Sequence, residues 1–236
     1  MKLLSVLKWI DAPGSIPFLC ICLALGVALA FLWPRRRRVT QVWLATVALV
    51  YLILAVPVVA NGIAAALPAD STCGLSSSPT IHTLVVFDGD NRRGRVREAK
   101  RLYDLNRPET VWSLGWERWM GGALRQAGIP PDVVHHDRST VTTRDQIDWV
   151  QRLVDEHRER TGDVTIIASR LQMPRVSALL CAGDLHAAIV SSPTDVEPPT
   201  AGPWRFVPTY GALRVSRDAL YEHLSMPYYR YKGWIK

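Results

Sequence analysis

Two stretches of this chain, Ile16 to Trp33 and Val42 to Ala60, contain no charged residue. Acidic side chains are nearly missing before residue 68, where Asp11 stands alone against six lysines and arginines, so +5 of the formal +7 charge lies there. The remaining 168 residues carry only +2, too little for a nucleic-acid-binding domain, which holds its excess charge in its soluble part. Cysteine is scarce, at four residues. Cys20 and Cys22 sit inside the first apolar run, where cysteine behaves as a small hydrophobe, and no metal-ligand spacing is present. No full Gly-x-Gly-x-x-Gly turn follows the first strand-like run, and there is no internal repeat or long low-complexity segment.

What is present begins with hydrophobicity. The chain is 48% hydrophobic with a mean hydropathy of +0.06, high for a soluble protein, and the surplus lies before residue 68. Each apolar run approaches the roughly 20 residues an α-helix needs to cross a hydrocarbon core. The sequence therefore predicts residues 1–67 as two transmembrane helices, about 16–33 and 42–60. The turn between them, Pro34–Gln41, holds Arg35 to Arg38. Short basic loops stay in the cytoplasm, which puts both termini outside it. The reverse orientation has only Lys2 and Lys8 in its favour. A signal peptide would need a small-residue cleavage site followed by polar sequence, and none occurs.

Pro57, Asn61 and Gly62 lie toward the end of the second run, and the stretch 68–80 reads as a linker. Residues 81–236 then alternate β and α signals. Strands are expected at Thr83–Phe87, Thr110–Leu114, Val133–Val134, Val164–Ala168 and Ala187–Val190. Helices are expected at Val96–Leu105, Trp116–Ala127, Thr143–Arg160, Met173–Ala182 and Tyr210–Leu224. This order predicts an α/β domain with a Rossmann-like, mostly parallel sheet and helices on both faces, preceded by the transmembrane hairpin.

Ligands of such sheets collect at the carboxyl ends of the strands. Candidates follow from position. Asp88, Gly89 and Asp90 end the first strand; the carboxylates either hold a ribose hydroxyl or a hydrated cation, or form an Asx-type turn. Arg92, Arg93, Arg95, Arg97, Lys100, Arg101 and Arg107 face an anion or water. Thr142 with Asp145, or Thr143 with Gln146, has capping-box spacing. Ser169, Gln172 and Arg175 lie where an apolar strand turns into a helix, with free N–H groups and the positive end of a dipole close by. His135 and His136 point to opposite faces of an extended segment and make a poor metal site. Cys73 and Cys181 are either a disulfide pair or two separate thiols.

Several of these segments, in this order, resemble a known family. Arg95 leading a helix, Ser113-Leu114-Gly115, Gly128-Ile129-Pro130, Thr140 to Gln146, Ser169 to Arg175, Tyr221-Glu222 and Tyr229 to Trp234 look like the YdcF/SanA/ElyC group of bacterial envelope proteins, most of all its ElyC-like members with two membrane helices. The resemblance covers essentially the whole chain. It implies a Rossmann-like domain outside the plasma membrane, with roles in envelope integrity and peptidoglycan or lipid-carrier metabolism. Some members are linked to S-adenosylmethionine. Three departures stand out. The family's Gly-rich turn is Asp88-Gly89-Asp90, its Ser-x-Asn-Thr-x-Glu-Asn pattern reads Thr140, Thr142, Thr143, Asp145 and Gln146, and its histidine is Gln172.

The expectation is a two-pass plasma-membrane protein whose extracytoplasmic domain binds an anionic ligand, a phosphorylated cell-wall or lipid-carrier intermediate, through Asp88, Gly89, Arg95, Gly115, Thr143, Asp145, Ser169, Gln172 and Arg175. The alternatives are a non-catalytic regulatory module, or a binder of S-adenosylmethionine or a nucleotide. No cofactor is assigned, and if the chain is an enzyme it acts on a phosphate ester.

Overall fold

The computed structural model describes residues 15–32, 37–68, 81–89, 91–115, 119–156, 164–185, 187–194 and 198–235. The chain divides into two compact units. One joins Met1–Leu67 to Val196–Ser225, and the other joins Pro68–Asp195 to Met226–Lys236. Residues 196–225, expected within the α/β domain, belong to the first of these units.

The α/β unit is built on five strands: β1 (Thr83–Phe87), β2 (Thr110–Leu114), β3 (Val134–Asp137), β4 (Val164–Ser169) and β5 (Ala188–Ser192). They pair in the order β3-β2-β1-β4-β5, and every pairing is parallel. Strands covered on both faces must be apolar at nearly every position, and β1 and β4 are so apart from Thr83, Thr165 and Ser169. Their side chains still alternate. Leu84 and Val86 of β1 pack on one face with Ala99, Leu102, Met120 and Leu124, whereas Val85 and Phe87 pack on the other with Ile147, Val150, Val176 and Leu179.

The first face is therefore covered by α4 (Arg92–Asn106) and α5 (Trp119–Gln126), and the second by α6 (Thr143–Glu156) and α7 (Met173–Ala182). Because β2 and β3 lie on one side of β1 while β4 and β5 lie on the other, the sheet reverses between β1 and β4. Met226, Tyr229 and Ile235 close the second face. Cys181, in the last turn of α7, is disulfide-bonded; Cys20 and Cys22 are free, and Cys73 lies outside the described residues.

The other unit contains α1 (Ile16–Leu32), α2 (Arg37–Leu54) and α3 (Pro57–Ala65). Trp43 Nε1 donates to the Cys22 carbonyl at 3.0 Å and Tyr51 Oη to the Ser15 carbonyl at 2.7 Å, so α1 and α2 run antiparallel. The Leu44 side chain packs directly on Gly26, where a Cβ would stand 2.7 Å from Leu44 Cδ2.

Here the structure corrects the expected hairpin. No single described helix is long and apolar enough to cross a membrane, and α2 and α3 reach that length only as a pair bent by 73°. Proline is the reason. Pro57 has no N–H to continue α2 and fits instead at the start of a new helix, with Val56 extended before it. The second run is thus two helices, and the one that follows the break carries Pro57, Asn61 and Gly62. At about 1.5 Å per residue, α1 spans roughly 26 Å, short of a hydrocarbon core of about 30 Å.

Among the described residues this unit also holds a 3-10 turn, Pro203–Phe206, and the first part of α8 (Tyr210–Tyr231). Thr209 N donates to the Ala55 carbonyl, Ser216 Oγ to that of Leu54, and His223 Nε2 lies 3.0 Å from that of Ile63. The helix expected over Tyr210–Leu224 thus runs further, through Pro227.

Candidate functional site

Five of the nine predicted ligand residues meet at the reversal point of the sheet or beside it. The centre is Arg95, whose side chain is wholly buried. Its Nη1 donates to the Phe87 carbonyl at the end of β1, and its Nη2 donates to Gln172 Oε1 at 2.9 Å. A guanidinium can only donate, so the Gln172 atom facing it must be the oxygen, and the amide nitrogen must turn the other way. That nitrogen lies over Gly89, 2.9 Å from where a Cβ would be.

Asp88 and Gly115 adjoin this cluster. Asp88 Oδ1 accepts from Gly89 N at 2.8 Å, and Asp88 N donates to the Leu114 carbonyl at 2.8 Å. The first of these joins the carboxylate to the N–H of the very next residue. Gly115 directly follows β2, at φ +144°, and a Cβ there would fall 2.2 Å from Asp88 Cβ. Asp90 lies outside the described residues.

Thr143 and Asp145 open α6, and there the capping role is realised. Asp145 Oδ2 accepts from Thr142 N at 2.7 Å and Val141 N at 3.1 Å, while Thr142 Oγ1 accepts from Asp145 N at 3.1 Å. Thr142 to alanine should cost about 1 kcal/mol of stability, measurable as a lowered melting temperature without loss of ligand binding. Gln146, one residue further, is buried and donates through Nε2 to the Leu114 carbonyl at 3.2 Å, so α6 is attached to the strand that carries Gly115. An open cavity of roughly 530 Å³ lies along this helix, lined by Ser139, Thr140, Asp145, Asp148, Gln151 and Arg152. Of the predicted ligand residues, only Asp145 lines it.

Ser169 and Arg175 are both buried. Ser169 makes no capping hydrogen bond to the 3-10 turn Arg170–Gln172 that follows it, and it stands in register with Ser192 of β5. Arg175 lies over the Tyr229 ring, 5.5 Å from its centroid, with Nη1 donating to Tyr229 Oη at 3.4 Å. Its aromatic partner is thus on α8 rather than on the turn after β1.

The remaining candidates behave more plainly. Arg101 pairs with Glu98 and Lys100 with Asp104 along α4, while Arg92 and Arg107 lie over Trp119 and Tyr103, so much of the basic cluster is committed within the fold. His135 stacks on Trp112 and His136 approaches Ser113 Oγ at 2.7 Å, on opposite faces of β3 as the alternation requires. Among the described residues no group of three His, Cys, Asp or Glu is placed to hold a metal ion. Burial raises the Asp137 carboxyl, but hydrogen bonds from Ser139 and Trp149 and the charge of Arg152 outweigh it, so the group stays below the usual carboxylate range.

Sequence reasoning passed over Asn91 and Ser192. Asn91 is buried at φ 58° and donates through Nδ2 to Ser192 Oγ at 3.1 Å and to the Pro193 carbonyl at 2.5 Å, tying the start of α4 to the end of β5. Asparagine tolerates the left-handed conformation, and its place directly before the helix was the available signal. Comparison with protein-family profiles, curated proteins and solved structures finds no match for this chain.

Proposed function

We propose that this chain is a membrane-anchored envelope protein whose Rossmann-like domain binds an anionic ligand, a phosphorylated cell-wall or lipid-carrier intermediate, in the crevice between β1 and β4. One observation carries the reading. Arg95 holds the Gln172 oxygen, so the amide presents its N–H₂ over Gly89 at the reversal of the sheet, where open α/β sheets bind their ligands. A fixed donor there suits a phosphate or carboxylate oxygen.

Two further features support the setting. Apolar side chains on both hairpin helices stand in the open, among them Ile21, Leu25, Val27, Phe31, Val42, Leu49 and Ile53. A surface of that kind marks a membrane or protein contact. A disulfide at Cys181 fits an oxidising compartment, in keeping with a domain outside the plasma membrane. The sequence resemblance to the YdcF/SanA/ElyC group points the same way.

Binding without catalysis is the second reading, and Gln172 favours it. An amide orients a ligand but does not take up a proton near neutral pH. The nucleotide or S-adenosylmethionine reading has less support, because the turn after β1 lacks the glycines that let a backbone approach a pyrophosphate.

The test exploits the asymmetry of the amide. Gln172→Glu keeps an acceptor for Arg95, so the fold should melt no lower than the natural protein. It replaces the donor over Gly89 with a negative oxygen. A polyprenyl phosphate in detergent should raise the melting temperature of the natural protein, by about 2.7 kcal/mol of stabilisation at a hundredfold excess over Kd, and leave Gln172→Glu unmoved. Equal shifts in both proteins would remove the crevice from the reading, and no shift in either would remove the ligand class.

A further inference from the structure

The segment between Pro198 and Arg217 is uneven in a telling way. It contains three arginines and no acidic residue, and its large side chains face outward. Trp204 is 67% exposed, Phe206 55% and Tyr210 68%, with Val207 also exposed. Arg205 lies over the Phe206 ring, 4.7 Å from its centroid. Proteins seldom leave such a group in water without a use for it.

Its position within the hairpin unit says what covers it. Thr209 N donates to the Ala55 carbonyl at 2.8 Å, at the bend between α2 and α3, and the 3-10 turn Pro203–Phe206 packs on α3. α2 by itself is about 27 Å long, 18 residues at about 1.5 Å each, so with Arg37 and Arg38 at one headgroup layer a bilayer thinned around this short helix brings Leu54 to the opposite layer. The 73° bend then turns α3 nearly into the plane of the membrane. The aromatic turn packed on α3 falls at the same depth.

We infer that Trp204, Phe206 and Tyr210 form an interfacial foot, seated among the headgroups of an anionic bilayer on the side away from the Arg37 end of α2. This inference rests on the membrane-anchored reading proposed above. Tryptophan and tyrosine settle at that depth because their rings are amphipathic. Arg205 supplies a cation at the lipid phosphates, whereas Arg217 is engaged with Asp218. The foot fixes the depth and tilt of the bent helix pair, which a short apolar helix alone leaves loose.

The full chain, with Cys20→Ser and Cys22→Ser, is labelled with an environment-sensitive fluorophore at Phe206→Cys or Leu25→Cys and reconstituted in phosphatidylcholine–phosphatidylglycerol vesicles. Spin-labelled lipids then quench from the headgroup region or from deep in the acyl chains. The expected result is a larger loss of fluorescence with the shallow quencher at position 206, and with the deep quencher at position 25. Quenching at 206 by aqueous iodide but by neither lipid would overturn the foot while position 25 still reported an inserted hairpin. Absence of lipid quenching at both positions would overturn the foot and the membrane anchor together.

Discussion

Alanine at position 115 is expected to lower the stability of the α/β unit by about 4 kcal/mol, the sum of two costs acting at one residue. Gly115 sits at φ +144°, where a side chain brings roughly 1–3 kcal/mol of backbone strain. The added methyl would also fall 2.2 Å from Asp88 Cβ and 2.5 Å from Asp88 Oδ2. Asp88 cannot move aside cheaply, because its N–H is bonded to the Leu114 carbonyl and its carboxylate to Gly89 N. For a chain of this size the melting temperature should fall by about 8–16 °C. A melting curve within a degree or two of the natural protein would mean that the β1 and β2 turns do not approach each other this closely.

The second large effect is expected at Arg95. Methionine there would fill much of the same space but leave the Phe87 carbonyl and Gln172 Oε1 without their donor, at about 1–3 kcal/mol for each buried acceptor. Removing a buried charge returns part of its desolvation cost, so a net loss of about 3 kcal/mol is expected. Lysine should not rescue it, since a single ammonium does not reproduce the planar fork that serves both acceptors. The diagnostic readout is the pairing with Gln172→Glu. In the Arg95→Met background the glutamate should destabilise, whereas beside the natural arginine it should not. Equal effects in the two backgrounds would show that the two side chains are uncoupled.

Arg95 also shows where sequence reasoning stops. Its position at the start of a helix after β1 was legible, and it was read as a ligand-facing residue. In the structure it is a wholly buried cross-link, which depends on a turn 77 residues away. No local pattern carries that information. The strands were the easiest part. β1 and β2 begin and end as expected, because buried parallel strands must be apolar and their ends are marked by Asp-Gly or Gly.

Helix boundaries failed where tertiary contacts set them. The helix expected from Val96 starts at Arg92, since Asn91 is held by Ser192 and Pro193, and the polar Arg92-Arg93-Gly94 stretch shows no apolar periodicity. Pro57, toward the end of the second apolar run, in fact opens α3, and the helix expected to end at Leu224 continues through Pro227 to Tyr231, where Met226 and Tyr229 enter the core. At the site, the capping pair Thr142–Asp145 was readable from spacing alone. The orientation of the Gln172 amide was not, because it is decided by its partner.

The grouping of residues 196–225 with the hairpin bears on the order in which the molecule is made. Ser216 reaches Leu54 across 162 residues of chain and His223 reaches Ile63 across 160, while the α/β sheet is encoded entirely between them. On a ribosome, the hairpin emerges before the sheet and must wait through synthesis of all five strands before the 3-10 turn and the helix α8 that pack on it arrive. The entropy of closing so long a loop grows only slowly with length, by about 0.6 kcal/mol per doubling, but the waiting time does not shorten. Maturation of the hairpin helices is therefore timed by residues made after the sheet, and a ribosome stalled before residue 209 would leave the bend at Ala55 without its Thr209 donor.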